Sequence, residues 1–308
     1  MDKRKEIENE LHRLTTSNTL HKRKAQTFYN RKSAAGHDSW TSVAKEGICF
    51  DYGRNLPIPN VSTNDVYYKQ QLSLHVVNIT VLSSETVGKR GSNDVCSLLR
   101  GFFYNHIPLE VKEIHFFCDA CGGQNKYTKI TLTYPVHGHS YLDCDRQMAS
   151  LNPKAWLETP EAWKEHFEAA WRKPSPFVVQ LITENEQNSD QIVGQNIFWK
   201  WTEHLTPLYA KRNFPIRPIR EVRTDSTTED ILYQTKYNRV WERAVIVKRN
   251  NQPPQNEEFI LRGLCYDGPI LISAAKYKDH RVWTNSVNLK LGSSLKTFNT
   301  IKQEDNTL

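Results

Sequence analysis

Three aspartates, Asp51, Asp119 and Asp145, are the residues of this sequence best suited to chemistry. Asp51 follows the apolar run 47–50, and Asp119 follows a predicted strand, 111–118. Carboxylate oxygens are the ligands that Mg²⁺ and Mn²⁺ prefer, and a pair of such ions can clamp the attacking and leaving oxygens of a phosphodiester. The three residues therefore suit a divalent-metal site, although aspartates also occur at strand ends simply as turn formers.

The same part of the chain offers a competing zinc site. Cys118 and Cys121 form a Cys-x-x-Cys pair, and His139 (or its neighbour His137) and Cys144 follow within the next 25 residues or so. One such pair with a downstream histidine and cysteine can make a tetrahedral zinc site. Against it, Cys118 ends an apolar run and suits a core position, and no second Cys-x-x-Cys pair occurs. Carboxylate and zinc interpretations both stay open at this point.

Basic residues outnumber acidic ones, 41 to 34, which gives a formal charge of +7. This excess is a mild bias toward anionic partners, among which are DNA and RNA. The candidate phosphate-contacting residues lie in three clusters: Lys22, Arg23 and Lys24; Lys89 and Arg90; and Arg212, Arg217 and Arg220. For the first cluster, the alternative interpretation is an ordinary solvated helix face.

Composition excludes several classes of protein. The apolar runs are shorter than the roughly 18 residues of a membrane span, and the N-terminus lacks the apolar core of a signal peptide. An intracellular protein is therefore expected, with its six cysteines as reduced thiols or metal ligands rather than disulfides. Neither a phosphate-binding loop of the Gly-x-x-x-x-Gly-Lys-Ser/Thr type nor a local hydrolase signature occurs.

The elements that must position these residues follow from periodicity. Helical spacing predicts a helix over 3–35, interrupted at 15–18 and restarting near Thr19, with a linker over 34–42. A second helix is predicted from Ser92 or Asn93 to Phe103, and a third over 160–172 with its aromatic stripe in the core. Strands are predicted at 47–52, 72–82, 111–118, 129–136, 177–182, 239–247 and 259–264. This order predicts a mixed α/β sheet, with Asp51 and Asp119 at strand ends where sites gather.

Four blocks of sequence together resemble a known family. They are FDYGRNLPIP (50–59) with YKQQL (68–72), KRGSNDV (89–95), CDACGGQNK (118–126) and GHSYLDCDR (138–146). The set is similar to the uncharacterised ribonuclease H-like domain of transposon-derived proteins, which is akin to DDE-type transposases and integrases. The blocks cover about residues 48–152, and weaker similarity continues to about residue 290.

The resemblance implies an α/β fold: a ribonuclease H-like mixed sheet flanked by helices, with an N-terminal helical arm and a C-terminal α+β extension. The corresponding boundaries are 1–45, 46–182 and 183–308. The resemblance also implies that Asp51 lies on the first strand of the sheet and Asp119 at the end of its fourth, with Asp145 as the third acid. Its chemistry would be Mg²⁺- or Mn²⁺-dependent cleavage and strand transfer of DNA, in the nucleus.

The chain departs from the family pattern near these acids. Relatives often carry a glutamate where this chain has Asn152, and they have a longer segment between Lys126 and Ile130. These differences favour a fragment or a degenerate copy, in which the scaffold binds nucleic acid without cleaving it.

Overall fold

The computed structural model describes residues 3–53, 55–60, 70–77, 81–85, 87–118, 129–138, 142–151, 156–170, 177–182, 198–207, 218–225, 230–244, 263–266, 268, 270–279 and 281. The chain divides into two compact units. Unit 1 comprises Met1–Phe50, Ile107–Leu142 and Tyr209–Lys248, and unit 2 comprises Asp51–His106, Asp143–Leu208 and Arg249–Leu308. The boundaries expected at 45/46 and 182/183 stay predictions.

Besides the helical residues 274–279, the described residues form five helices and ten strands. The helices are α1 (Lys3–Thr41), α2 (Ser92–His106), α3 (Asp143–Ala149), α4 (Pro160–Ala170) and α5 (Trp201–Leu205). The strands are β1 (Lys45–Cys49), β2 (Leu56–Ile58), β3 (Leu72–Val77), β4 (Val81–Ser84), β5 (Glu113–Phe117), β6 (Lys129–Thr133), β7 (Gln180–Ile182), β8 (Glu221–Asp225), β9 (Asp230–Gln234) and β10 (Glu242–Ala244). The predicted mixed α/β class is confirmed. In the described part of the chain, no helix is long and apolar enough to cross a membrane.

Unit 1 is built on a six-stranded sheet in the order β1-β5-β6-β8-β9-β10. Strands β1, β5 and β6 are parallel, whereas β8, β9 and β10 are added antiparallel. Since side chains alternate between the faces of a strand, the register separates two chemically different faces. One face carries the buried apolar residues Ile48, Phe116 and Leu132.

The other face of this sheet is largely polar, and α1 packs on it. Its cross-strand neighbours are Gly47, His115, Thr131 and Arg223 in one row, and Cys49, Phe117, Thr133, Glu221 and Gln234 in the next. A methyl group at Gly47 would lie 3.1 Å from the carbonyl oxygen of Ala35, so glycine allows α1 to approach β1 closely.

The helix α1 runs without a break, so the predicted interruption at 15–18 and the predicted linker at 34–42 are wrong. Threonine hydroxyls bond the carbonyl one turn back: Thr19 Oγ1 donates to Thr15 O at 2.9 Å, and Thr41 Oγ1 donates to His37 O at 2.8 Å. Because these groups are satisfied within the helix, the polar residues that suggested caps do not end it.

Unit 2 contains a four-stranded sheet in the order β2-β3-β4-β7. The single strand predicted over 72–82 is wrong, because β3 and β4 are separate and antiparallel, with Val77 opposite Val81. The short β7 joins β4 in parallel. Two consecutive apolar strands of a hairpin give the same continuous apolar sequence as one long buried strand, which explains the error.

Helix α4 belongs to the apolar core of unit 2. Trp163 and Phe167 are buried there, and the Trp163 indole donates to Pro57 O at 3.2 Å. The core consists of buried aliphatic and aromatic residues: Leu56, Ile58, Leu72, Leu74, Val76, Leu82, Leu151, Leu157, Trp163, Phe167, Val179 and Ile272. The prediction that the aromatic stripe of this helix is core is confirmed for these two residues.

Candidate functional site

The strands that precede two of the candidate acids end side by side in unit 1. β1 and β5 are parallel neighbours with Cys49 opposite Phe117, and the Phe50 amide donates to Phe117 O at 3.1 Å. In the sequence, Asp51 comes directly after Phe50, and Asp119 comes directly after Cys118. Asp119 itself lies outside the described residues. The sheet therefore brings the ends of both strands to one edge.

Asp51 is half-buried, and its Oδ1 accepts the amide of Tyr52 at 2.7 Å. A bond from an aspartate to a nearby backbone amide is what a turn-forming aspartate makes. The same carboxylate chemistry suits a divalent cation, so this contact is compatible with both interpretations. The role of Asp51 as a metal ligand stays a prediction.

Asp145 lies in the first turn of α3 and is also half-buried. Its neighbour Asp143 forms an ion pair with Arg146 across one turn of the helix. Among the described residues, no three histidine, cysteine, aspartate or glutamate side chains come together as a metal site. Since Asp119 lies outside those residues, the proposed set of three acids stays a prediction.

The cysteines of the described part of the chain are reduced thiols. They are Cys49, Cys96, Cys118 and Cys265, and Cys118 is 1% exposed at the end of β5. Burial raises the pKa of Cys96 to about 11, and burial also raises the pKa of Cys265. Of the alternative zinc set, Cys121, His139 and the side chain of Cys144 lie outside the described residues, so zinc also stays a prediction.

The first basic cluster lies on α1. Lys22, Arg23 and Lys24 are exposed, immediately before the buried Ala25. Their exposure leaves the ammonium and guanidinium groups accessible to a phosphate backbone, which is the property a nucleic-acid contact needs.

The second basic cluster belongs to a loop of unit 2 that wraps around a buried carboxylate. Asp94 is 1% exposed, its Oδ2 accepts the Lys89 amide at 2.7 Å, and its Oδ1 accepts the Tyr266 hydroxyl at 2.9 Å. Burial raises the pKa of Asp94, and these hydrogen bonds oppose the shift. The Lys89 amide, which could otherwise donate to a phosphate, thus donates to the protein's own Asp94 carboxylate. The Lys89 side chain is exposed.

Arg90 makes structural contacts within the same unit. Its guanidinium lies 4.4 Å from the ring centre of Tyr52 and donates to Asn55 Oδ1 at 2.6 Å. In the third cluster, Arg220 donates to Pro135 O at 3.2 Å, while Arg212 and Arg217 lie outside the described residues. Arg90 and Arg220 therefore hold loops in place as well as carrying charge.

A cavity of about 370 Å³ opens over the polar face of the unit 1 sheet. Six of the charged side chains that line it form ion pairs: Arg31 with Glu221, Lys45 with Asp38, and Lys129 with Glu113. The other two are Glu46, which accepts the Ser39 hydroxyl, and Arg223, whose guanidinium lies 4.4 Å from the ring centre of Trp241. Basic and acidic side chains are equal in number, so net charge favours neither an anionic nor a cationic ligand.

The buried part of this face is one hydrogen-bonded chain. Glu221, 2% exposed, pairs with Arg31 and accepts the Thr133 hydroxyl at 3.2 Å. His115 Nε2 lies 2.7 Å from the same hydroxyl oxygen. When Thr133 donates its one proton to Glu221, His115 donates to the hydroxyl oxygen through Nε2–H, which corresponds to one of the two neutral tautomers. Burial, and then the charges of Arg31 and Arg223, lower the pKa of His115 to about 4, so the ring is neutral at pH 7.

Two acceptor atoms of this face, Glu221 Oε2 and Gln234 Oε1, have no hydrogen-bond partner among the described residues. Reasoning from sequence did not single out Arg31, His115, Glu221 or Gln234. The alternation of polar residues in KITLT (129–133) and EVRTD (221–225) indicates a strand with one polar face, but not that a helix covers that face.

Comparisons with protein-family models, with curated proteins and with solved structures find no match to this chain.

Proposed function

We propose that this chain is a transposon-derived, ribonuclease H-like protein whose ancestral chemistry is metal-dependent cleavage and strand transfer of DNA. The observation that carries the proposal is the parallel pairing of β1 and β5, with Cys49 opposite Phe117. Sites in α/β sheets gather where strands end. The proposal assigns the acids that follow these two strands, Asp51 and Asp119, to one site, with Asp145 as the third member.

Mg²⁺ or Mn²⁺ is the cofactor that this donor set fits, because all three side chains offer carboxylate oxygens. The ion, when bound, would stabilise negative charge on the phosphodiester oxygens. The protein's part is to hold the three carboxylates, and Gly122 and Gly123 after Asp119 allow a phosphate backbone to approach closely. With Asn152 where relatives often have glutamate, we expect this copy to retain metal binding better than cleavage.

The experiment measures Mn²⁺ binding by titration calorimetry, together with nicking of a supercoiled plasmid. Asp51→Asn, Asp119→Asn and Asp145→Asn are compared with Glu110→Gln, an exposed carboxylate in a turn of unit 1. We expect each aspartate variant to weaken Mn²⁺ binding at least about tenfold and to abolish any nicking, while the control behaves as wild type. Wild-type protein that neither binds Mn²⁺ nor nicks DNA removes the metal site, and stoichiometric zinc in the purified protein favours the cysteine site instead.

A second candidate is non-catalytic nucleic-acid binding through α1, which the exposure of Lys22, Arg23 and Lys24 favours. Binding through phosphate contacts weakens steeply with salt, and three contacts give a slope of about −3 in a log–log plot for duplex DNA. A DNA target would place the protein in the nucleus.

This candidate is tested by fluorescence anisotropy with duplex and single-stranded oligonucleotides over a series of salt concentrations. The variant with Lys22, Arg23 and Lys24 all changed to glutamine should bind more weakly and show a shallower slope. The matched control changes Lys3, Arg4 and Lys5 to glutamine, which removes the same charge from the same helix. Equal effects of the two triple variants would assign binding to net charge rather than to the cluster.

A further inference from the structure

Seven residues of α1 recur at alternating spacings of four and three. They are Ile7, Leu11, Leu14, Asn18, His21, Ala25 and Phe28. This is the spacing of the seam positions in a left-handed coiled coil, where each seam residue packs against a partner helix.

The two ends of this seam differ in burial. Ala25 is 3% exposed and Phe28 is fully buried, because the second half of α1 packs on the unit 1 sheet. Phe28 meets Phe117 edge to face, with ring centres 5.7 Å apart. In the first half, Ile7 is 68% exposed and Leu11 is 63% exposed. One continuous stripe is thus covered by the sheet at one end and faces solvent at the other.

We propose that the first half of α1 pairs with the same segment of a second copy of this chain, in a parallel two-stranded coiled coil. The seam contains Ile7, Leu11, Leu14 and Asn18. The inference rests on this helix and not on the proposed function. A helix of 20 residues is about 30 Å long, close to three heptads, which is near the lower limit for a coiled coil. The association is therefore expected to be reversible and concentration-dependent.

Asn18 selects the parallel orientation. In a parallel pair in register, Asn18 meets Asn18 of the second copy, and the two amides can bond each other across the seam. A single seam asparagine fixes register and a two-stranded state in this way. In an antiparallel pair, the Asn18 amide would face an aliphatic seam residue such as Ile7 and would lose hydrogen bonds on burial.

Charges beside the seam agree with this orientation. In a parallel pair, Lys3 of one copy lies beside Glu8 of the other, and the following flanking pairs are Glu10 with Thr15 and Ser17 with Lys22. One pair is attractive and none joins like charges, so the flanks do not oppose a second identical helix.

The first experiment measures the mass of the full chain by sedimentation equilibrium over about a hundredfold range of concentration. Wild type should shift from monomer to dimer, whereas Leu11→Glu/Leu14→Glu should stay monomeric. Leu20→Glu is the matched control, because Leu20 is also half exposed but lies on the opposite side of the helix. Thermal unfolding of each variant checks the fold. Wild type that stays monomeric throughout, or a control that dissociates like the double variant, overturns the proposal.

Two further variants test orientation. Ile7→Cys places two thiols opposite each other only in the parallel pair, so mild oxidation should give a covalent dimer that the wild-type chain does not form. Asn18→Leu should tighten association at least about tenfold while admitting other oligomers. If Ile7→Cys dimerises in sedimentation but does not form the covalent dimer, the parallel arrangement is overturned. If Asn18→Leu dimerises with the same affinity as wild type, the assignment of Asn18 to the seam is overturned.

Discussion

Each unit covers a sheet with a helix, but the chemistry between sheet and helix differs. In unit 1, α1 lies on a polar face, where Arg31 pairs with the buried Glu221, and Thr133 and His115 extend the network. In unit 2, α4 adds Trp163 and Phe167 to a core of aliphatic side chains.

The two units should therefore lose stability in different ways. A buried ion pair contributes little net stability over apolar residues of the same size, yet losing one partner is costly because the other charge stays buried. An apolar core fails by loss of volume and contact instead. Unit 1 should therefore be sensitive to charge and pH at this face, and unit 2 to the shape of its core. Hydrogen exchange by segment separates the two, since β8 reports on unit 1 and β3 on unit 2.

The largest effect is expected from Glu221→Ala. It leaves the Arg31 guanidinium, whose side chain is 24% exposed, without its carboxylate. This loss should cost roughly 3–5 kcal/mol of the free energy of unfolding and speed hydrogen exchange in β8. The double variant Arg31→Met/Glu221→Met should recover most of that loss. The control is Glu113→Ala, which removes the exposed carboxylate of the Lys129 ion pair on the same sheet and should cost about 1 kcal/mol or less. Equal losses of stability for Glu221→Ala and Glu113→Ala would contradict the expectation that breaking the buried ion pair costs more than breaking the exposed one.

The next largest loss of stability is expected from Leu74→Ala in the core of unit 2. Leu74 is fully buried, so its truncation should cost roughly 2–5 kcal/mol, whereas Leu74→Met should cost less than about 1.5 kcal/mol. Chemical denaturation gives the loss, and faster exchange should appear in β3 and β4 first. Leu109→Ala, at an exposed position, is the control. If Leu74→Met were as damaging as Leu74→Ala, the shape of the side chain rather than its volume would control the stability of this core.

The pH dependence of unit 1 should follow His115. Its pKa is about 4 in the folded protein against 6.5 for an ordinary histidine, so between these values the unfolded chain binds more protons. The contribution of His115 to the free energy of unfolding is therefore fully present above about pH 6.5. It decreases by about 3 kcal/mol as the pH drops toward 4.

His115→Gln should flatten this dependence in β5 and β6. His75, buried on β3 in unit 2, has a pKa also lowered to about 4 by burial, so it serves as the internal comparison. Its pH dependence should persist in β3 of the His115→Gln variant. If hydrogen exchange in β5 had the same pH dependence in wild type and in His115→Gln, groups other than His115 would control the loss of stability in acid.

The smallest loss of stability is expected from changes at Asp94, the buried carboxylate of unit 2 that accepts bonds from Lys89 and Tyr266. Asp94→Ala removes the acceptor of the Lys89 amide and of the Tyr266 hydroxyl, which should cost roughly 1–3 kcal/mol. Tyr266→Phe removes only one of these bonds and should cost about 1 kcal/mol. Thermal unfolding ranks the two variants. A larger loss for Tyr266→Phe would mean that the Tyr266 hydroxyl stabilises this loop through its contact with the Lys89 amide, 3.3 Å away, rather than through Asp94.

Local sequence pattern predicted α1, α2 and α4, the strands β1, β5, β6, β7 and β10, and the mixed α/β class, but not α3, β2, β8 or β9. The spacing of Val95, Leu98, Leu99 and Phe103 predicts α2, and the apolar run before Cys118 predicts β5, because these signals depend on neighbours a few residues apart. The polar residues at 15–18 were misleading, since a threonine hydroxyl can cap a helix or bond back within one and the sequence does not say which.

Which polar residues are buried depends on long-range packing, which the local sequence pattern does not show. Glu221 and Arg31 are far apart in the chain and meet because β8 pairs with β6 while α1 crosses the same face. Likewise, the pairing of β4 with β7 and the hydrogen bond from the Tyr266 hydroxyl to Asp94 join residues that are distant in sequence. The residue types of a metal site can be read from the sequence, but burial, pairing and pKa depend on surroundings that long-range packing creates.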